Sequence, residues 1–142
     1  MSLKLIITKG IPASGKTTWA RKWVNEDSDN RVRVSRDDIR NMLGPYWIRS
    51  REGLVSKIER EMVTRALTEG YSVVVDKMNL RSNGDEFRHI VNKNFKDNSI
   101  DIEEKDFTDV SLAECLRRDK EREDSVGADI VIDKYKKYIK ND

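Results

Sequence analysis

An α/β fold, with a four-stranded parallel sheet flanked by helices, is predicted by three features of this sequence. Four strand-like runs alternate with helical segments along 142 residues. One of them, Tyr71-Ser72-Val73-Val74-Val75-Asp76, is continuous and β-branched, as a parallel strand buried on both faces should be. Another, Leu3-Lys4-Leu5-Ile6-Ile7-Thr8, leads straight into Gly10-Ile11-Pro12-Ala13-Ser14-Gly15-Lys16-Thr17, which fits G-x-x-x-x-G-K-[ST] and is followed by a Gly- and Pro-free segment from Thr18 to Val24.

Each residue type in that loop has a physical reason to be there. Gly10 and Gly15 let the backbone approach a ligand closely, so the N–H groups around Ala13, Ser14, Lys16, Thr17 and Thr18 can turn toward a polyphosphate at the positive end of a helix. Lys16 adds a mobile cation for the β- and γ-phosphates, and the Thr17 hydroxyl is a ligand for the Mg²⁺ that bridges them. A nucleoside triphosphate with Mg²⁺ is therefore expected.

The rest of the first strand and helix sets the scale of the chain. Its length leaves room for one domain, 1–142, with a single core. Charged residues make up 38% and apolar ones 37%, enough apolar material for a globular core under a heavily charged surface. A net charge of only +2 does not by itself announce a nucleic-acid binder. The single cysteine, Cys115, excludes an intramolecular disulfide and a thiolate metal cluster. With no apolar stretch near the ~20 residues that span a bilayer, and no leader before the first strand, a cytoplasmic protein without a membrane partner is expected.

The polar cluster from Asn25 to Asn30 ends the first helix. Arg31-Val32-Arg33-Val34-Ser35 alternates charged and β-branched residues, the pattern of a strand near the sheet edge. Arg36-Asp37-Asp38-Ile39-Arg40 follows at its carboxyl end, on the rim where open α/β sheets bind ligands. Gly44-Pro45 breaks the short helix that comes next. A loop with Tyr46, Trp47, Arg49 and Arg51 precedes a long helix from about Glu52 to Glu69, whose stripe of Leu54, Val55, Ile58, Met62, Ala66 and Leu67 is expected in the core. Asp76 closes the third strand where phosphate-loop proteins often keep a carboxylate for Mg²⁺ or its water.

Ser82 to about Asn94 reads as a helix with Phe87, Ile90, Val91 and Phe95 inward and His89 an ordinary surface or packed residue. Ser99 to Phe107 alternates weakly as a fourth strand. Ser111, with Glu114 three residues on, forms a capping box for a helix through about Glu123. After the turn at Asp124 to Gly127, a last helix is expected from Asp129 to Ile139, with Ile130, Val131, Lys134, Tyr135 and Tyr138 on one face.

A phosphate loop alone does not separate kinases from switches and motors. A kinase acting on a hydroxyl also needs a carboxylate beside the acceptor, and Asp37 or Asp38 can supply it. Arg40, three residues after Asp37, either pairs with it or binds an anionic group on the acceptor. Residues 31–57 carry seven basic side chains against three acidic ones, interleaved with Tyr46 and Trp47, a composition that suits a single nucleic-acid strand or else a solvated charged face. Arg118 and Arg122 share a helix face, either as a lid over the triphosphate or as part of a salt-bridged surface with Glu114.

In order and spacing, Gly10 to Thr17, Arg36-Asp37-Asp38-Ile39-Arg40, Val74-Val75-Asp76-Lys77-Met78-Asn79-Leu80 and Glu114 to Arg122 followed by Val126-Gly127 resemble the polynucleotide 5′-hydroxyl kinase domain of phage and bacterial end-healing enzymes. The resemblance implies a phosphate-loop kinase fold with a helical lid, acting with ATP and Mg²⁺ on the 5′-hydroxyl end of single-stranded DNA or RNA. It implies that Lys16 and Thr17 bind ATP and Mg²⁺, that Asp37 is the general base and that Arg40 holds the acceptor's 3′-phosphate. Arg118 and Arg122 become lid arginines on the donor phosphates, and Glu52, within Arg51-Glu52-Gly53-Leu54-Val55, lines the acceptor side together with Asp76. The sequence departs from the family where D-x-T-N or S-D-T-N is common, since Asp76-Lys77-Met78-Asn79 has Met for Thr and a lysine beside the acid. Phosphatase or ligase domains that often accompany the family's kinase have no counterpart in these residues. The alternatives are a kinase acting on a small metabolite or nucleoside, and a nucleotide-dependent switch or toxin.

Overall fold

The computed structural model describes residues 3–80, 84–123 and 125–139. Its strands are β1 (Leu3–Lys9), β2 (Arg31–Ser35), β3 (Ser72–Asp76) and β4 (Ile100–Asp106). The helices are α1 (Lys16–Asn25), α2 (Arg36–Leu43), α3 (Glu52–Thr68), α4 (Asp85–Asn94), α5 (Leu112–Lys120) and α6 (Ala128–Tyr138), with a 3₁₀ turn at Arg49–Arg51 before α3.

All four strands are parallel, in the order β2-β3-β1-β4, with Leu5 opposite both Val73 and Ile102. After β1 the chain moves to one side for β2 and β3 and then crosses back for β4. The loop leaving β1 therefore sits where the strand order reverses, the place where such sheets bind ligands. Alternation divides the sheet's side chains between two cores. Leu5, Ile7, Val73 and Val75 pack with Ile39 of α2, Val55, Val63 and Leu67 of α3, and Phe87 and Val91 of α4. Ile6 and Val74 face the other way, onto Ala20 and Trp23 of α1. A third cluster, Ile11, Cys115 and Val131, joins the phosphate loop to α5 and α6.

Gly84 opens α4 in a left-handed conformation (φ 72°), and a Cβ there would meet Ile7 Cγ2 at 2.7 Å. A side chain at this position would lift α4 from β1. The helix expected from Ser82 is seen from Asp85; Ser82 itself lies outside the described residues, as does Asp124 of the turn before α6.

Three sequence expectations are corrected. In α3 the buried row is Val55, Glu59, Val63 and Leu67, while Leu54 and Met62 are exposed. A glutamate can take an inward position there because two cations neutralise it, which turns the helix away from the face that apolar content alone would choose. Ile130 of α6 is likewise exposed, with Val131 as the buried anchor. Ser111 does cap α5, accepting from the Glu114 amide at 3.1 Å, but the Glu114 carboxylate is taken up by Arg117 and Arg118, and the helix ends at Lys120.

Candidate functional site

The phosphate loop is held from below by side chains that the pattern does not name. Thr8 Oγ1 donates to the carbonyls of Val75 (3.1 Å) and Lys77 (2.9 Å), and Asn79 Nδ2 donates to the Thr8 carbonyl at 2.8 Å. The Gly10 amide donates to the Met78 carbonyl at 3.1 Å. These bonds stitch the end of β3 to the end of β1, and Asn79 is the member of the family's D-x-T-N segment that this chain keeps. Ala13 adopts a left-handed φ of 66° and Gly15 a φ of 107°, so the chain curls before α1 begins at Lys16. The first amides of α1, at Lys16, Thr17 and Thr18, have no acceptor one turn earlier in the helix and belong to the loop.

Lys16 lies inside this curl, buried, with Nζ donating to the Ile11 carbonyl at 2.7 Å. Burial pulls its pKa down to about 8. The charges this ammonium feels come from Asp76 and Asp37, which favour its protonated form, and from Arg122, which opposes it. Charges from three other stretches of sequence therefore act on one lysine. Ser14 Oγ is buried and has no hydrogen-bond partner among the described residues. A donor of this kind, turned into a loop beside a buried cation, fits a phosphate oxygen.

Asp76 is buried at the end of β3, with Oδ2 accepting from Thr17 Oγ1 at 2.9 Å and from Arg33 Nε at 2.7 Å. It thus lies on the Thr17 side of the loop. Arg33 also reaches Asp38 at 2.8 Å; burial would make it less basic, but Asp76 and Asp38 outweigh that and raise its pKa. Lys77, the departure from the family pattern, turns away from the phosphate loop and bridges Glu59 (3.2 Å) and Glu86 (2.7 Å).

On the opposite rim, one guanidinium organises the second cluster. Arg40 Nη1 lies 2.9 Å from Asp37 Oδ1, while its Nε and Nη2 hold the two oxygens of Glu52 at 3.0 and 2.7 Å. Burial works against its charge, but the hydrogen bonds to Glu52 prevail and its pKa is raised; the same bonds lower that of Glu52. Asp37 is 59% exposed and accepts a further bond from the Tyr46 hydroxyl at 2.8 Å, so its carboxyl group is fixed in place yet open to solvent. Burial and the neighbouring Asp37 push the Tyr46 phenol up to about 12. Behind this pair, Arg36 joins Glu52 (3.1 Å) to the buried Glu59 (3.1 Å).

The third cluster is split between the two readings the spacing left open. Arg118 pairs with Glu114 at 2.9 Å, and its Nη1 also donates to the Ser14 carbonyl at 3.0 Å, across to the phosphate loop. Together Arg117 and Arg118 hold the Glu114 carboxyl at a pKa of about 2. Arg122 stands 3.9 Å from Asp119. Asp119, buried, accepts from Ser125 Oγ (2.7 Å) and from the Val126 and Gly127 amides (3.0 Å each), which fixes the turn between α5 and α6.

The structure thus gathers Lys16, Thr17, Asp76, Arg118 and Arg122 around the phosphate loop, with Asp37, Arg40 and Glu52 together on the opposite rim. Thr18 sits exposed in the first turn of α1, and His89 is exposed on α4, apart from the site. Glu59, Asp119, Arg33 and Thr8 were missed in the sequence. Each carries its weight through partners distant in the chain, a signal that local spacing does not contain.

A model of the AAA domain family matches residues 5–140. Among solved structures, a chain in the Pnkp1/Rnl/Hen1 RNA repair complex is 28% identical, with a TM-score of 0.78 over 98% of this chain and 44% of its own. A chain in another structure of the Pnkp1/Rnl/Hen1 complex is 33% identical, with a TM-score of 0.69 over 82% of this chain and 39% of its own. This chain therefore spans less than half the length of those chains. No curated protein matches. No described helix is long and apolar enough to cross a membrane.

Proposed function

We propose a function from one premise, that the chain belongs to the AAA domain family: it transfers the γ-phosphate of ATP to the 5′-hydroxyl end of a DNA or RNA strand. The observation that carries this reading is the Asp37 carboxylate, 59% exposed yet fixed by Arg40 at 2.9 Å and by the Tyr46 hydroxyl at 2.8 Å, close enough to the buried Lys16 for its charge to be felt there. The resemblance read from the four sequence blocks stands beside it, with RNA repair complexes as structural neighbours. A switch or motor needs the loop and Asp76, but has no use for an exposed carboxylate fixed on the opposite rim by Arg40 and Tyr46.

In the proposed mechanism the loop amides, Ser14 and Lys16 seat the triphosphate, with Lys16 leaving the Ile11 carbonyl for phosphate oxygens. Arg118 and Arg122 neutralise charge that builds on the transferring group. Asp37 accepts the proton of the incoming 5′-hydroxyl, and Arg40 holds the phosphate that follows the terminal sugar. The donors at Thr17 and Asp76 fit a divalent ion, which would be held by the Thr17 hydroxyl and, through water, by Asp76. When bound, Mg²⁺ supplies neutralisation of the β- and γ-phosphates. Among the described residues no group of three or more His, Cys, Asp or Glu side chains could hold an ion.

Incubation with γ-labelled ATP, 5′-hydroxyl oligonucleotides and a panel of nucleosides and small alcohols tests the proposal. Label on the oligonucleotide, lost when its 5′ end is already phosphorylated, is the expected result. Label on the nucleosides or small alcohols alone would establish the small-molecule kinase instead.

A further inference from the structure

Next to the candidate base stands an aromatic surface that the core does not use. Trp47 is 59% exposed and Tyr46 44%, and both rings lie over the Arg40 guanidinium, at 5.4 and 5.5 Å. The loop that carries them is pinned at both ends: Arg51 donates to the Leu43 carbonyl at 2.8 Å, and the Tyr46 hydroxyl donates to Asp37 at 2.8 Å. An exposed tryptophan backed on one side by a cation, in a segment fastened this closely, is a preformed planar surface whose burial awaits a ligand.

Resting on the reading above, we infer that Trp47, with Tyr46 beside it, is a stacking platform for a nucleobase within the first two nucleotides of the acceptor strand. Its position dictates the occupant. The platform is one hydrogen bond from Asp37, and its underside is Arg40, so a strand that brings its 5′-hydroxyl to the one and its phosphate to the other must pass the indole. Every base has a π face, so stacking here holds the strand without selecting sequence. Tyr46 has a second part: it orients Asp37 while the acceptor enters.

The test is a cycle between protein and substrate. Short 5′-hydroxyl oligonucleotides, intact or abasic at the first or second position, are phosphorylated by the wild type, Trp47→Ala and Trp47→Phe, with circular dichroism as the check on folding. For the wild type, removing the stacked base is expected to lower kcat/KM for the oligonucleotide roughly 5- to 100-fold, the range of a stacking contact. Trp47→Ala loses a similar factor on the intact strand and little more on the abasic one, Trp47→Phe keeps most of the activity, and KM for ATP stays unchanged in both. If abasic substitution at both positions costs Trp47→Ala as much as it costs the wild type, the platform is overturned while the kinase reading stands. A wild type inert toward every oligonucleotide overturns both.

Discussion

Arg118 donates a hydrogen bond to the main-chain carbonyl of Ser14 at 3.0 Å, although 104 residues separate them in the chain. The late helix α5 is therefore already docked on the phosphate loop, with Ile11, Cys115 and Val131 packed around the contact. Glu114 holds the same guanidinium from the other side. One guanidinium thus spans a surface carboxylate and the main chain of the phosphate loop.

Replacing Arg118 by Ala removes its bond to the phosphate loop and, on the proposed role, its charge on the donor phosphates, so kcat/KM for ATP should fall roughly 10- to 100-fold. Arg118→Lys should recover only part of that, because an ammonium cannot reach Glu114 and the loop together as the planar guanidinium does. Steady-state kinetics at fixed oligonucleotide gives the answer; an unchanged kcat/KM for ATP would assign Arg118 to the surface alone.

Lys16 makes ATP binding depend on pH. Its ordinary pKa of 10.5 is lowered to about 8 by burial, and a triphosphate raises it again by favouring the ammonium. Well below pH 8 the lysine is already charged and binding takes up almost no proton there. Above it, the free protein has lost a proton that the complex keeps, so affinity weakens as pH climbs and about one proton is taken up per ATP near pH 9. Calorimetry in buffers of different ionisation enthalpy measures this directly, and Lys16→Met should abolish the uptake along with most of the affinity.

Glu59 lies beneath the Arg36–Glu52–Arg40 cluster, bound to Arg36 and Lys77 with its side chain 2% exposed. Glu59→Ala takes one of two carboxylate partners from each of two partly buried cations, leaving Arg36 on Glu52 and Lys77 on Glu86, which should cost about 2 kcal/mol and lower the unfolding midpoint by roughly 7 °C. Thermal unfolding followed by circular dichroism checks the first figure. Because Arg36 also holds Glu52, and Glu52 holds Arg40, the protein that remains folded should show a raised KM for the oligonucleotide at unchanged KM for ATP.

Asp76 faces Thr17 at 2.9 Å, on the donor side of the loop. Asp76→Asn should therefore raise the Mg²⁺ concentration needed for half-maximal activity several-fold, while leaving KM for the acceptor near its starting value. A Mg²⁺ titration at saturating oligonucleotide distinguishes this from an acceptor-side role, which would move the acceptor KM instead.

The elements were legible in the sequence because their signals are local. Val73 to Val75 could only be a buried strand, Arg31 to Ser35 shows the alternation of the edge strand it is, and the phosphate loop follows β1 as its pattern requires. The three-residue spacing put Asp37 and Arg40 on one side of a helical turn but left Arg40 open between pairing and binding an anion; the structure joins the two at 2.9 Å. What spacing could not show was which partner wins. Arg40 divides itself between Asp37 and Glu52, 12 residues on, and Arg118 between Glu114 and Ser14. The inward turn of α3 was hidden for the same reason: Glu59 is tolerated in the core only because Arg36 and Lys77, from two other elements, meet it there. Lys77 looked like a disturbance of the metal-side segment, yet its alternation from Asp76 sends it to the opposite face of the strand.

The claim that Asp37 serves an incoming hydroxyl is tested most directly by Asp37→Ala, in a paired measurement of ATP binding and of label transfer to a 5′-hydroxyl oligonucleotide. Transfer should fall by at least about 100-fold with ATP affinity within a few-fold of the wild type. Near-full transfer by that variant would contradict the assignment of the base, and with it the reading of the second rim as the acceptor site.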